Sequence, residues 1–322
     1  MIFIACLVWM FMLVGCTSDI TKKDGESNHL NGDKASSSKI EFSYEGQTFQ
    51  IISLFDNVLD YTNKVQKDKD ANKEAVYRDS VVDDFMEVTD NDKLGYSKFF
   101  SYSSRVDELK DNTTEMSENL DNINKTIKKA LINSAKELPG HDLKLFIMPM
   151  NPDDYFPIYN MKGISGVASN TGNVIVIQID PSFSESLLEY AVAHEYSHTV
   201  ALEDDSQFAE TVLDNILLEG KADVFGKMMY PKAEVPWIEP LSEEEMENIL
   251  NKVEEDLYDS ELYTDLQNGT SKYPEWSNYK LGYAIMESYL KTEKNVTPIE
   301  WTKLSGEEII QESEYSQLLN QD

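Results

Sequence analysis

Apolar and polar positions change their spacing several times along the chain, and each change predicts an element. Residues 1–15, MIFIACLVWMFMLVG, carry no charge; so short an apolar run suits the core of a signal peptide better than a spanning helix. Thr17–Lys39 is rich in Ser, Asp, Lys and Gly, with almost no large apolar side chain, which is the composition of a disordered tether. From Ile40 to Ile52 apolar residues alternate about Glu45-Gly46, predicting a β-hairpin. Ser53–Leu138 turns to three- and four-residue spacing, clearest in NKEAVYRDSVVDDFMEV and NLDNINKTIKKALINSAKEL. Helices are expected there, the last ended by Pro139-Gly140.

Beyond residue 140 the texture changes again. Leu143–Met150 and Asn173–Asp180 are short, strongly β-prone runs, separated by a loop holding Pro152, Pro157, Gly163, Gly166 and Gly172. Asn170–Gly172 suits a tight turn into the second strand, and Pro181 stops that strand. Ser182–Glu185 has capping-box form, so a helix carrying YAVAHEYSHTV (Tyr190–Val200) is expected to start there. Further helices are expected over about Phe208–Tyr230, from a capping box at Ser242–Glu245, and over Asn278–Lys291, with a weak last one in the acidic tail. The fold class is α+β, a small sheet beside a mostly helical body. The expected division is 1–16 signal peptide, 17–39 tether, 40–140 hairpin plus helices, and 141–322 the chemistry-bearing region.

Charge removes some classes of partner. The chain has 28 Lys and Arg against 59 Asp and Glu, a net charge of -31. Nucleic-acid binding and electrostatic docking on anionic lipid both need the opposite balance. The only cysteines are Cys6 and Cys16, so any metal in the rest of the chain must be held by His, Asp or Glu. Cys16 closes LVGC, which resembles a bacterial lipobox, although the usual basic n-region is missing. That resemblance implies lipidation of Cys16 and a membrane-anchored protein on the extracytoplasmic face of a bacterial cell.

Two of only four histidines, His194 and His198, stand four apart with Glu195 between them, the pattern H-E-x-x-H. On a helix both imidazoles project from one face and can converge on one ion. Zinc suits two neutral nitrogens and a carboxylate, with a fourth position left for water. Glu195 would stand beside that water and could take its proton. Burying these groups among Leu187, Leu188, Ala191, Val192 and Ala193 without partners would be costly, so partners are expected. NILLEGKADVFG offers Glu219 as third ligand and Asp223, one turn on, as a partner for the far nitrogen of a ligating histidine. Gly220 would let the two helices approach closely. The bland alternative is an acidic edge with Lys221 as its ion-pair partner. A rival third ligand is Asp204, ten residues after His194 as in metzincin-type proteins, although that pattern wants Gly where Ala201 stands. An oxyanion needs a donor: Tyr279 and Tyr283 share a helical face beside Gly282, and His141 is another candidate, while tyrosines in an apolar helix are more often core residues.

The succession of a β-strand, VAHEYSHTV and, about twenty residues later, LLEGKADVFG resembles the gluzincin metallopeptidases. EGKAD is similar to the E-x-x-x-D arrangement of thermolysin-like enzymes. More narrowly, the chain resembles a predicted zinc-dependent protease family of unknown function that pairs HEYxH with an EGxA helix and a later GYxxGY-like segment, here NYKLGY with Asn278 for the first glycine. Over roughly Leu143–Tyr315 the resemblance implies a gluzincin-like fold, Zn2+ on His194, His198 and Glu219, Glu195 as base, and a peptide or protein substrate. It also implies an edge strand that pairs with extended peptide, expected within Gly163–Asp180. The alternative function is a non-catalytic metal-binding lipoprotein of the same fold that serves binding or assembly.

Overall fold

The computed structural model describes residues 38–89, 91–169, 171, 173–203 and 210–316. Cys6, Cys16, His29, Asp204 and the Asn170 and Gly172 of the expected turn lie outside the described residues. The tether, up to residue 37, also lies outside them. The described residues form one compact unit.

Strands β1 (Lys39–Tyr44) and β2 (Gln47–Ser53) form the expected hairpin. Its two-residue loop is Glu45-Gly46, both at positive φ (47° and 94°), as a twist-matched tight turn requires. Helices α1 (Phe55–Lys67), α2 (Lys73–Tyr77), α3 (Asp83–Thr89), α4 (Asp92–Gly95), α5 (Val106–Glu118) and α6 (Leu120–Glu137) follow. A π-turn at Arg78–Val82 joins α2 to α3, and a short 3-10 turn, Lys98–Phe100, follows α4. Then come β3 (Leu143–Pro149), α7 (Tyr155–Tyr159), β4 (Ile164–Ala168) and β5 (Val174–Ile179). Helices α8 (Glu185–Ala201), α9 (Val212–Met229), α10 (Glu243–Glu255), α11 (Ser260–Asn268), α12 (Ser277–Thr292), α13 (Pro298–Trp301) and α14 (Gly306–Gln311) complete the order.

The sheet runs β1-β2-β3-β5-β4. β3 is parallel to both of its neighbours, β2 and β5, while the outer pairs are antiparallel. Residues 39–53 therefore share one sheet with 143–179. The two central strands are apolar apart from Lys144 and Gln178 because both faces are covered. Leu145, Ile147, Ile175 and Ile177 pack with α6, α8 and α9 in one core. Phe146, Met148, Val174 and Val176 point the other way, against Val58, Val81, Phe85 and Leu109 of the N-terminal helices. β4 is an edge strand: it lies in the segment whose composition reads as a loop, and also within Gly163–Asp180, where the resemblance implied an edge strand.

Several boundaries differ from expectation for local reasons. Helix α8 is capped by Ser184, whose hydroxyl accepts from Leu187 N, rather than by a Ser182–Glu185 box. Ser182 instead bonds Asp180, and Glu185 accepts from Thr126 of α6. Helix α9 begins in a true capping box, Thr211 with Asp214, a T-x-x-D signal present in the sequence. The box at Ser242–Glu245 forms as expected. Gly220 does not serve the α8–α9 contact: it meets Gly282 of α12, and Gly226 is the glycine that faces α8, where a Cβ would stand 2.7 Å from Tyr190.

Candidate metal centre

From Tyr190 to Thr199 helix α8 is buried on every side. Leu187, Leu188, Tyr190, Val192, Ala193 and Tyr196 are all buried, as befits a helix enclosed by the sheet, α6 and α9. His194, Glu195 and His198 are therefore held among apolar neighbours, at 6%, 7% and 8% exposure. Helix α9 lies alongside and brings Glu219 to them.

The donor atoms converge. His194 Nε2 is 3.1 Å from His198 Nε2, His198 Nε2 is 3.2 Å from Glu219 Oε2, and His194 Nε2 is 3.4 Å from the same oxygen. Ligands each about 2.0–2.1 Å from a tetrahedral zinc stand roughly 3.3 Å apart, so the three atoms fit one ion without rearrangement. The chemistry of the set agrees: two imidazoles and a carboxylate make the open, three-ligand site that zinc takes when a fourth position stays accessible.

Behind His194 lies Asp223, fully buried. Its Oδ1 is 2.9 Å from His194 Nδ1, an ion-pair contact that is not a well-aligned hydrogen bond. The same oxygen accepts from Tyr190 Oη at 2.6 Å and from Trp237 Nε1 at 3.1 Å. Tyr190 sits one turn before His194 on α8, so its face was legible from spacing; Trp237 carried no such signal.

Electrostatics follow from this crowding. Burial works against a charged His194, but the Asp223 carboxylate and then Glu219 outweigh it and raise its pKa well above the ordinary value. Burial also opposes ionised Glu219, yet the two imidazoles hold its carboxyl well below the usual range. Glu195 goes the other way. Burial raises its pKa, against the pull of both histidines and a hydrogen bond from the Ala168 backbone.

A cleft of about 470 Å³ opens over these groups, lined also by Phe99, Gly166, Val167, Leu202, Leu218 and Tyr279. Tyr279 thus stands at the site, its ring 6.5 Å from that of His194, with its pKa raised well above normal by burial and the Glu219 charge. Tyr283 does not line the cleft. It lies one helical turn further on, and its hydroxyl donates to Glu287 at 3.1 Å. His141 is remote too: its ring pairs with Glu203 on the exposed surface. Lys221 is not the surface partner of an acidic edge. It is buried, and its ammonium donates to the carbonyls of Thr302 and Leu304. Phe99 and Gly166 were missed, the first because it lies far upstream in sequence, the second because it was read as a loop glycine.

Residues 123–311 match the family model described as "Predicted Zn-dependent protease (DUF2268)". The match spans more than half of the chain, which therefore belongs to that family. No curated protein matches the chain, and no solved structure does.

Proposed function

We propose that this member of the predicted Zn-dependent protease family is a metallopeptidase of the gluzincin type, in which His194, His198 and Glu219 hold Zn2+. The observation that carries the reading is the convergence of those three donors within 4.8 Å of one another, with Glu195 in the same cleft. Zinc supplies Lewis acidity, which polarises a carbonyl and makes water acidic enough to attack near neutral pH. The chain's own residues do the rest. Asp223 orients the His194 ring from behind. Glu195, kept from ionising too readily by burial, takes the proton of the attacking water and delivers it to the leaving amine. The Tyr279 hydroxyl, protonated at any ordinary pH, would donate to the developing oxyanion. An extended peptide would lie along the free edge of β4.

Glu195→Gln tests this. The variant should keep zinc in full stoichiometry and lose peptide hydrolysis. Equal turnover in variant and wild type would sink the catalytic reading, and zinc without turnover in either would favour the binding lipoprotein. Glu219→Ala should lose metal where Asp204→Ala keeps it.

The LVGC motif ending in Cys16 supports a lipid anchor on the extracytoplasmic face of a bacterial membrane. Among the described residues no helix is long and apolar enough to cross a membrane. Release of a Cys16→Ser variant from the membrane fraction is the expected outcome; retention would exclude this anchor.

A further inference from the structure

Gly166 is the middle residue of edge strand β4, paired with Ile177 of β5. It does not stand at one of the positive-φ positions that favour glycine, so the backbone gives no reason for it. The reason lies across the cleft. A Cβ built on Gly166 would stand 2.6 Å from Glu195 Oε1, 2.7 Å from its Cγ and 2.9 Å from its Cδ. The Glu195 side chain occupies the place of the missing side chain.

The strand's hydrogen bonding adds a second contact. Asp180 N donates to Gly163 O and Ser169 N to Val174 O, at the two ends of the β4–β5 pairing. By antiparallel alternation, Ser165 and Val167 bond inward to β5, while Gly166 and Ala168 turn their N–H and C=O groups to the free edge. The Ala168 N–H is the group that meets the Glu195 carboxylate. One outward residue of β4 therefore gives the carboxylate room, and the backbone of the next favours its ionised form.

We propose that Gly166 is a positioning residue for Glu195: its missing side chain is a slot that fixes where the carboxylate sits over the metal ligands. The inference rests on the reading of Glu195 as the base. What an added methyl would displace is the Glu195 side chain from its Cγ outward and not backbone. The fold should therefore tolerate alanine while the carboxylate does not keep its place. A shift of about half an ångström is enough to matter for a group that must meet a proton in flight.

Gly166→Ala in the zinc-loaded protein tests this, with zinc content, urea midpoint, peptide kcat and KM, and affinity for acetohydroxamate as readouts. Acetohydroxamate ligates zinc and gives up a proton as it binds, so its affinity reports the position of Glu195 without any peptide turnover. The expected variant keeps full zinc and its urea midpoint, loses about tenfold or more in kcat with KM nearly unchanged, and binds acetohydroxamate about tenfold more weakly. In a Glu195→Gln background the same glycine change should cost no further acetohydroxamate affinity. The proposal fails if Gly166→Ala leaves acetohydroxamate affinity unchanged. It fails equally if the loss is as large in the Gln background, or if the variant does not fold, since only the carboxylate should yield. If the affinity pattern holds but the wild type cleaves no peptide, the positioning role stands and the peptidase reading falls.

Discussion

Gly220 of α9 and Gly282 of α12 meet backbone to backbone. A Cβ on Gly220 would stand 2.7 Å from Gly282 Cα, and one on Gly282 would stand 3.0 Å from Gly220 N while overlapping the Ile216 carbonyl. Neither neighbour is a side chain that can swing away, so an added methyl must push the helices apart. Gly220→Ala or Gly282→Ala should cost about 1–3 kcal/mol or more in unfolding free energy, read from the urea midpoint. Because Glu219 is next in sequence to the contact, zinc affinity should fall with stability. A Gly282→Ala protein with wild-type midpoint and zinc affinity would show that the contact constrains nothing.

The acceptor Asp223 Oδ1 ties three groups together, and their distances predict a ranking. Asp223→Ala should weaken zinc binding by about 10–100-fold, as loss of an outer partner of a ligating histidine does. It also strands the buried Trp237 N–H, at about 1–3 kcal/mol, and leaves the Tyr190 hydroxyl only the backbone carbonyl of residue 223, at 3.5 Å. Tyr190→Phe removes the 2.6 Å bond and Trp237→Phe the 3.1 Å one, so the first should weaken zinc binding more than the second. Chelator competition measures all three. The order reversed, or no effect of Asp223→Ala, would remove Asp223 from the metal site's support.

These two contacts mark what the sequence carried and what it did not. The spacing of His194, Glu195 and His198, and of Glu219 and Asp223, is local to single helices, so a 3.6-residue period makes each half of the site legible. The central strands were legible because β3 and β5 are buried on both faces and are apolar at all but one position each. Which elements meet is a tertiary fact. Gly220 was expected to face α8, yet it faces α12, because nothing in EGKAD says which neighbour a small residue serves. Tyr279 and Tyr283 share a helical face, but only the three-dimensional depth of the cleft separates them. β4 was hidden among glycines, and Phe99 reaches the cleft from well before the ligand helices in sequence.

Phe99 lies outside the segment that matches the family model, yet it lines the cleft beside Val167, Leu202 and Leu218. Its backbone carbonyl accepts from Gln178 Nε2 at 2.7 Å, which ties the 3-10 turn to β5. Apart from His194, His198, Glu219 and Glu195, the lining side chains are uncharged. Phe99→Ala should raise KM for peptides with a large apolar residue near the scissile bond by about tenfold, the worth of an aromatic contact. Zinc content should not change. Unaltered kinetics across a peptide set varied at those positions would place Phe99 outside the substrate's reach.

Lys221 gives a stability signature at alkaline pH. Burial lowers its pKa to about 8, against the attraction of Asp214 and Glu308, where an unfolded lysine titrates near 10.5. Between those values the unfolded chain holds a proton that the folded chain has shed. The unfolded state therefore binds more protons, and stability must rise with pH across that window. The gain from pH 8 to pH 10 is about 2 kcal/mol if Lys221 alone is counted, an order-of-magnitude figure. Tyrosines buried in the fold act oppositely, since burial raises pKa values such as that of Tyr61, to about 12; several tyrosines share this shift, and their joint loss, small up to pH 9, grows quickly as free tyrosine ionises near 10. Urea midpoints measured at saturating zinc should thus climb from pH 8 to pH 9 in the wild type. Lys221→Met, similar in volume and unable to ionise, should flatten the climb. It should also pay for the lost bonds to the Thr302 and Leu304 carbonyls with a lower midpoint at pH 10. A wild-type midpoint that falls steadily over this range would mean that the ammonium is solvated, and that α9 and the α13–α14 connection do not enclose it.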